Sequence, residues 1–253
     1  MKLDRRNQII DMITQNRTVK NGELMERFDI SIETVRRDLE YLEQQGYLRR
    51  VYGGAVVNAS LSSEPEYASR AKALFKEKAA IAAEAAKLIG TDDSIYMGVG
   101  TTVQAITRHL KGKGNLTVFT NALRTAVELS EIPGCTVILP GGQVRPKELT
   151  LSGFPSEENF TSFNVDKAFI GIGGITESGV TDFHIGEAHL HRQLIQNARQ
   201  SIVLADSGKL GLRAVVKVCE LNEIDIVITD DKAPKHIVKA LEQAGVRVIL
   251  AHP

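Results

Sequence analysis

Neither sign of charge prevails in this chain: Lys+Arg and Asp+Glu each number 31, for a formal net charge of zero. That balance excludes a bulk electrostatic pull on nucleic acid, so any such binding must come from local geometry. Cysteine is nearly missing as well. Cys135 and Cys219 lie in the apolar stretches Cys-Thr-Val-Ile-Leu and Lys-Val-Cys-Glu-Leu. Their spacing is that of neither a metal knuckle nor a disulfide framework, and reduced, buried thiols are expected. No apolar run approaches the ~20 residues that cross a bilayer, and Met1-Lys2-Leu3-Asp4-Arg5-Arg6 opens an amphipathic segment, not a signal core. The expected location is the cytoplasm, with no membrane partner. Internal repeats and low-complexity tracts are absent too. What remains is a chain of 253 residues, 43% hydrophobic, long enough for one large domain or for a small domain plus a medium one.

Helical spacing dominates the opening. Ile9, Ile10 and Ile13 mark a first helix, Leu24, Met25 and Phe28 a second, and Ile32, Val35, Leu39 and Leu42 a third. The junction Phe28-Asp29-Ile30-Ser31 is tight, Ser31 is a good N-cap, and Gly46 ends the third helix. In 47–57, β-formers flank Gly53-Gly54 as a short hairpin requires, and a hairpin beside a helix-turn-helix is a wing. Residues 58–73 have lost both periodicities and read as a linker. From 74 onward, apolar strands at 94–99, 116–120, 136–139, 168–172, 202–205, 226–229 and 246–250 alternate with amphipathic helices. That alternation is the signature of a mostly parallel α/β sheet. The expected domains are therefore a winged helix-turn-helix over 1–57 and an α/β domain over 74–253.

With Ile32, Val35, Leu39 and Leu42 turned to a core, the ~100° step per residue sends Glu33, Thr34, Arg36 and Arg37 outward near the start of the third helix. Those positions suit base reading in the major groove: Arg can bond a guanine edge bidentately, Glu accepts from cytosine, and Ser31 and Thr34 hydroxyls reach base or phosphate. Arg49 and Arg50 on the wing suit phosphate or minor-groove contact. The alternative is that Arg36, Arg37 and Asp38 form only a solvated, charge-paired face. Residues 1–57 hold almost as many acidic as basic side chains, so duplex DNA would be held by specific contacts more than by bulk attraction.

These segments resemble the DeoR family of bacterial regulators. The resemblance rests on Arg5, Ile9 and Ile13, on Ser31-Ile32-Glu33-Thr34-Val35-Arg36-Arg37-Asp38-Leu39, and on Arg50-Val51-Tyr52-Gly53-Gly54-Ala55. It implies a sugar-responsive regulator, usually a repressor of a catabolic operon, acting on operator DNA as a homo-oligomer, dimer or tetramer. No cofactor is implied.

Open α/β sheets bind ligands at the carboxyl ends of their strands, where helix N-termini offer free N–H groups. Met97-Gly98-Val99-Gly100-Thr101-Thr102 ends one strand, opens a helix over 103–110, and has the glycines and hydroxyls to hold a phosphate. Thr120-Asn121, Gly141-Gly142, 171–174 and Asp206-Ser207-Gly208-Lys209 also follow strands. The same loops, with Asp166 to Gly171 and Glu187, extend the resemblance to the family's effector domain, itself similar to ribose-5-phosphate isomerase. By that likeness Gly100, Thr101 and Thr102 would hold a sugar phosphate's phosphate with Lys209 as a cation. Asn121, Arg145, Glu187 and Asp206 could face hydroxyls, with Gly141, Gly142 and Gly173 lining the site. Two departures stand out. Ser207-Gly208-Lys209 shifts the lysine relative to the family's Ser-Lys-Phe-Gly, and Phe183-His184-Ile185-Gly186 precedes Glu187 where an isomerase carries a lysine and glycine run.

Three alternatives remain. Glu187 could be the base of an aldose–ketose isomerase. The helix over 72–88 could be an ordinary layer of the domain or part of a dimer contact. Metal binding by His184, His189 and His191 is disfavoured, because His189 and His191 diverge by about 200° on one helix.

Overall fold

The computed structural model describes residues 5–253 apart from 7, 10, 11, 14, 15, 17, 45–47 and 58–63. Expectations at Ile10, Gly46, Tyr47 and the first part of the linker, 58–63, lie outside the described residues. Contacts divide the chain into two compact units, Met1–Ala73 and Leu74–Pro253.

In the first unit Arg5, Arg6, Ile9, Met12 and Ile13 are helical. They are followed by β1 (Thr18–Lys20), α1 (Asn21–Phe28), α2 (Ile32–Gln44), β2 (Leu48–Val51), β3 (Gly54–Val57) and α3 (Tyr67–Lys72). One core collects Ile9, Met12, Ile13, Val19, Leu24, Val35, Leu39, Leu42, Leu48 and Ala55, with Phe28 and Ile30 against it. The turn between α1 and α2 is made by Asp29 at φ 48, a left-handed conformation that aspartate tolerates, and the Ser31 carbonyl accepts from Val35 N–H at 3.1 Å.

β1 escaped the sequence pattern. It pairs antiparallel with β3, making the wing a three-stranded sheet of order β1-β3-β2. Gly54 has to be glycine there, since a Cβ would stand 2.0 Å from the Val19 carbonyl oxygen. Also unforeseen is α3, a helix inside the stretch that reads as linker.

The second unit runs α4 (Phe75–Lys87), β4 (Ser94–Met97), α5 (Thr101–Gln104), β5 (Leu116–Phe119), α6 (Leu123–Ser130), β6 (Cys135–Ile138), β7 (Gln143–Arg145) and β8 (Thr150–Ser152). It continues with α7 (Phe154–Thr161), β9 (Val165–Gly171), β10 (Gly174–Thr176), β11 (Gly179–Asp182), α8 (Ile185–Asn197), β12 (Ala198–Leu204), β13 (Val216–Cys219), β14 (Ile226–Asp230), α9 (Lys235–Gln243) and β15 (Arg247–Ala251). The seven apolar strands form one parallel sheet of order β15-β14-β12-β9-β4-β5-β6. Ile81, Ile106 and Leu129, from α4, the 3-10 turn after α5 and α6, pack one face. Phe160, Leu194 and Leu241, from α7, α8 and α9, pack the other. The helix expected over 103–110 starts at Thr101 and tightens to 3-10 over Ala105–His109.

Two smaller antiparallel pieces flank this sheet, β7-β8 and β10-β11-β13. Cys219 is buried, but Cys135 is only half-buried because β6 is an edge strand, a correction to the expectation of two buried thiols. Burial lifts both thiols, Cys219 to about 12.

From β4 the chain winds outward through β5 and β6, then returns to the other side of β4 as β9. The winding direction therefore reverses between β4 and β9, the kind of switch point at which open α/β sheets bind ligands. The loop after β4 comes close to β9 there: a Cβ on Gly171 would lie 2.3 Å from the Val99 carbonyl oxygen. At the opposite ends, Asp166 accepts from Ser94 N–H (3.0 Å) and Oγ–H (2.7 Å). The Ser94 hydroxyl first, then its N–H, hold the Asp166 carboxyl below the ordinary value. A carboxyl depressed in the folded state stabilises above its unfolded value and stops doing so as pH falls through the folded one. Asp166→Asn is thus expected to cost about 1 kcal/mol at neutral pH. The gap should narrow as pH falls below the ordinary aspartate range and through the lowered folded value, and urea unfolding at neutral and at strongly acid pH checks it. A gap unchanged in acid would mean the charge is not involved.

Candidate DNA interface and effector site

On α2 the structure exposes Glu33, Arg36 and Arg37 and leaves Thr34 half-buried. Among the described residues neither Arg36 nor Arg37 has an ion-pair partner. Ser31 Oγ accepts from Thr34 N–H at 3.4 Å and lies 3.2 Å from Thr34 Oγ1, so the two hydroxyls serve the cap first. Asp38 does not belong to the solvated face. It is fully buried and accepts from Arg5 Nε and Arg6 Nε, both at 2.7 Å, while Arg6 also lies 3.7 Å over the Tyr41 ring. The Arg-led first helix is thereby fixed to the back of α2.

On the wing Arg49 is exposed, whereas Arg50 is turned to α2. Glu43 accepts from Arg50 N–H at 2.7 Å and from Arg50 Nε at 2.6 Å. Partial burial works against the Glu43 charge, but these bonds hold its carboxyl below the ordinary value and raise Arg50. Arg50 therefore sets the wing's angle, and Arg49 is left facing out.

In the second unit Gly100, Thr101, Thr102, Asn121, Gly173, Asp206 and Lys209 all follow carboxyl ends of parallel strands, as expected. Two clusters form around them. In the first, Glu187, on the opening turn of α8 and 3% exposed, accepts from Arg145 on β7 at 2.8 Å and from Thr150 Oγ1 at 3.0 Å. Tyr96 and Asn121 stand nearby: burial, then the Glu187 charge, push the Tyr96 phenol well above its usual value. Asn121 is a strut here. Its Oδ1 accepts from Tyr96 Oη at 2.8 Å and its Nδ2 donates to the Leu151 carbonyl at 3.2 Å.

The second cluster was only partly foreseen. Lys78 of α4, 5% exposed, lies with Nζ 3.9 Å from Oδ2 of Asp206, itself 2% exposed. Next to it Glu77 accepts from Lys232 Nζ at 2.8 Å. Asp230 accepts from Ser207 N–H at 2.6 Å, and burial, with the Asp206 charge adding to it, raises its carboxyl. Asp206 Oδ1 and Glu77 Oε2 are buried with no hydrogen-bond partner. The signal in the sequence is the polar start of an otherwise apolar helix, Phe75-Lys76-Glu77-Lys78. Lys209 Nζ, shifted along its loop, donates to the Ile172 carbonyl just after β9.

Gly141 and Gly142 are accounted for by the turn into β7, where both have positive φ and a Cβ on Gly142 would lie 2.7 Å from the Ser152 carbonyl oxygen. Gly173 is packed against Asp182, whose Cα would be 2.9 Å from a Cβ there. Of the histidines, His184 Nδ1 accepts from Glu187 N–H at 3.4 Å as the cap of α8, His189 is exposed, and buried His191 Nδ1 is 3.2 Å from Asp182 Oδ2. Although burial opposes it, His191, then Lys209 and the Phe183 N–H, hold the Asp182 carboxyl below the ordinary range. Among the described residues no group of His, Cys, Asp and Glu is placed to hold a metal ion, and no helix is long and apolar enough to cross a membrane.

A helix-turn-helix with a wing, followed by a parallel α/β unit, is the build of a DNA-binding regulator with a second domain. Residues 5–61 match the DeoR-like helix-turn-helix domain, and residues 75–231 match the DeoR C terminal sensor domain. The chain belongs to the DeoR family of transcriptional regulators. It is 35% identical to the HTH-type transcriptional regulator GolR of Listeria innocua, over 98% of both chains. Identity is also 35% to the HTH-type transcriptional repressor GlcR of Bacillus subtilis, over 96% of this chain and 93% of that one. It is 30% to the glycerol-3-phosphate regulon repressor of Escherichia coli, over 97% and 98%. Among solved structures, ribose 5-phosphate isomerase A of Methanocaldococcus jannaschii is 20% identical over 53% of each chain, with a TM-score of 0.39, too slight a likeness to bear on function. The relatives that share the whole length are regulators, so the chain is a regulator and not an isomerase.

Proposed function

We propose that the protein is a cytoplasmic repressor of a carbohydrate-catabolic operon, released or engaged by a phosphorylated sugar. DNA binding belongs to 1–57, with 58–73 as linker and 74–253 as the sensing and oligomerising domain. Ser31, Glu33, Thr34, Arg36, Arg37 and Arg49 meet the operator, and a dimer or tetramer places two such helices on repeated half-sites. The sugar phosphate rests its phosphate on Gly100, Thr101 and Thr102 at the opening of α5, with Lys78 and Lys209 as cations. Its hydroxyls are read by Glu187, Arg145 and Asp206. The observation that carries this reading is the pairing of buried opposite charges, Arg145 with Glu187 and Lys78 with Asp206, in a unit whose strand β4 runs into a glycine–threonine loop. Such groups can take both the anion and the hydroxyls of one ligand.

The deciding experiment is thermal unfolding with a panel of pentose and hexose phosphates. A ligand at a hundred times its Kd adds about 2.7 kcal/mol to the folded state. One phosphorylated sugar should raise Tm where its unphosphorylated form and inorganic phosphate do not. A panel with no such member would overturn the sugar-phosphate reading. For the DNA half, Arg36→Ala or Arg37→Ala is expected to weaken operator binding by about 1–3 kcal/mol with relaxed preference at one base pair. Binding to a set of single-substitution operators measures this, and a uniform loss across the set would assign that arginine to phosphate.

A further inference from the structure

The wing ends on an aromatic ring that no protein contact explains. Tyr52 has a relative exposure of 107%, and no other described large apolar side chain is so bare. Water is a poor solvent for an aromatic face, and tyrosine, apolar along its ring and polar at its tip, is enriched where a protein meets a partner. Its backbone is nonetheless firmly held. Val51 pairs with Gly54 across the turn, β3 is backed by β1, and Arg50 ties β2 to Glu43 of α2. The Gly53 carbonyl accepts from Asn21 N–H at 2.8 Å, so the tip of the wing stands beside the N-terminus of α1. In a helix-turn-helix the first of the two helices lies across the DNA backbone while the second enters the major groove. The tip is therefore at the corner of the unit that meets the sugar–phosphate wall. Exposed Lys20 and Arg49 stand near it, a charge pattern that fits duplex DNA.

We propose that Tyr52 is a DNA-contact residue, its ring packing on the deoxyribose wall of the minor groove and adding affinity that does not depend on sequence. This rests on the DNA-binding reading of the first unit. Because the chain contains no tryptophan, Tyr52→Trp creates a single fluorescent reporter at the site. Full-length protein is titrated into an end-labelled mixed-sequence duplex at low salt, with label anisotropy reporting binding and tryptophan emission reporting the ring. The emission is expected to be quenched in step with the anisotropy. Tyr52→Ala should weaken binding about five- to ten-fold, the effect of partly burying one aromatic ring, without changing the slope of log Kd against log salt, and Tyr52→Phe should stay near wild type. Arg49→Ala should instead lower that slope by about one. A rising anisotropy with unchanged emission, or a Tyr52→Ala protein that binds like wild type, overturns the proposal and leaves the DNA-binding reading standing. No anisotropy change at all overturns both. Circular dichroism should be the same for all variants, as the ring touches nothing in the free protein.

Discussion

Replacing Asp38 with alanine is expected to abolish DNA binding without touching a single base-reading side chain. The Asp38 carboxylate is 1% exposed and takes Arg5 and Arg6 together, whose side chains are themselves only 17% and 13% exposed. Taking away the shared acceptor strands two guanidinium groups in a low-dielectric setting, and breaking such a buried pair costs about 3–5 kcal/mol. Small domains have about 5–15 kcal/mol in total, so the first unit should lose a large part of its stability while the second melts as before. Differential scanning calorimetry with duplex binding tests this, and Asp38→Asn, which keeps an acceptor but not the charge, should fall in between. A loss under about 1 kcal/mol would mean the pair is as weak as a surface salt bridge. The contrast with Arg36→Ala matters: that change should alter which base is read in a unit that stays folded.

The second large effect is expected at Lys78. In Lys78→Met the ammonium is gone, and Asp206, 2% exposed and with Oδ1 already unpartnered, loses its counter-ion beside the Asp230 carboxyl. The sensor unit should lose about 3–5 kcal/mol. Removing the second charge as well, in Lys78→Met/Asp206→Asn, should recover most of that, because contacting residues do not add. Neither variant should be stabilised by the sugar phosphate that stabilises the wild type. Urea unfolding of the wild type, Lys78→Met, Asp206→Asn and the double variant, with and without ligand, separates the two effects. If Lys78→Met unfolds with the wild type, the lysine is not a buried counter-ion. If the double variant still responds to ligand, the second cluster lies outside the effector site.

Much of the architecture was legible because burial leaves a periodic trace. The inner strands β14, β12, β9, β4 and β5 are mostly buried, and their apolar runs stood out between amphipathic helices. The elements that escaped were short or polar. β1 is three residues with one buried side chain. β7 and β8 are hairpin strands of three residues each, and α3 has no buried residue to mark its face. Site residues divide in the same way. The loops after β4, β5, β9 and β12 were found from glycine, threonine and asparagine at strand ends, and Arg145 and Glu187 through the family resemblance, but Lys78 as the partner of Asp206 was not. Nothing in the periodicity sets Asn121 to brace Tyr96, or turns Arg50 to Glu43 rather than toward DNA.

The sequence by itself determined the order of domains, the outward face of α2 and the strand ends on which a ligand loop can sit, since all three follow from spacing along one chain. Zero net charge likewise implied that DNA would be gripped by few, specific groups. The tertiary structure alone decided which of those groups are at liberty. Asp38 is neutralised by Arg5 and Arg6, and Arg50 is taken by Glu43, leaving Arg36, Arg37 and Arg49 turned outward. Likewise Lys78 meets Asp206 across 128 positions of sequence. Ion pairing is a matter of a few ångströms between side chains that the sequence does not order, and burial multiplies what each such pairing is worth.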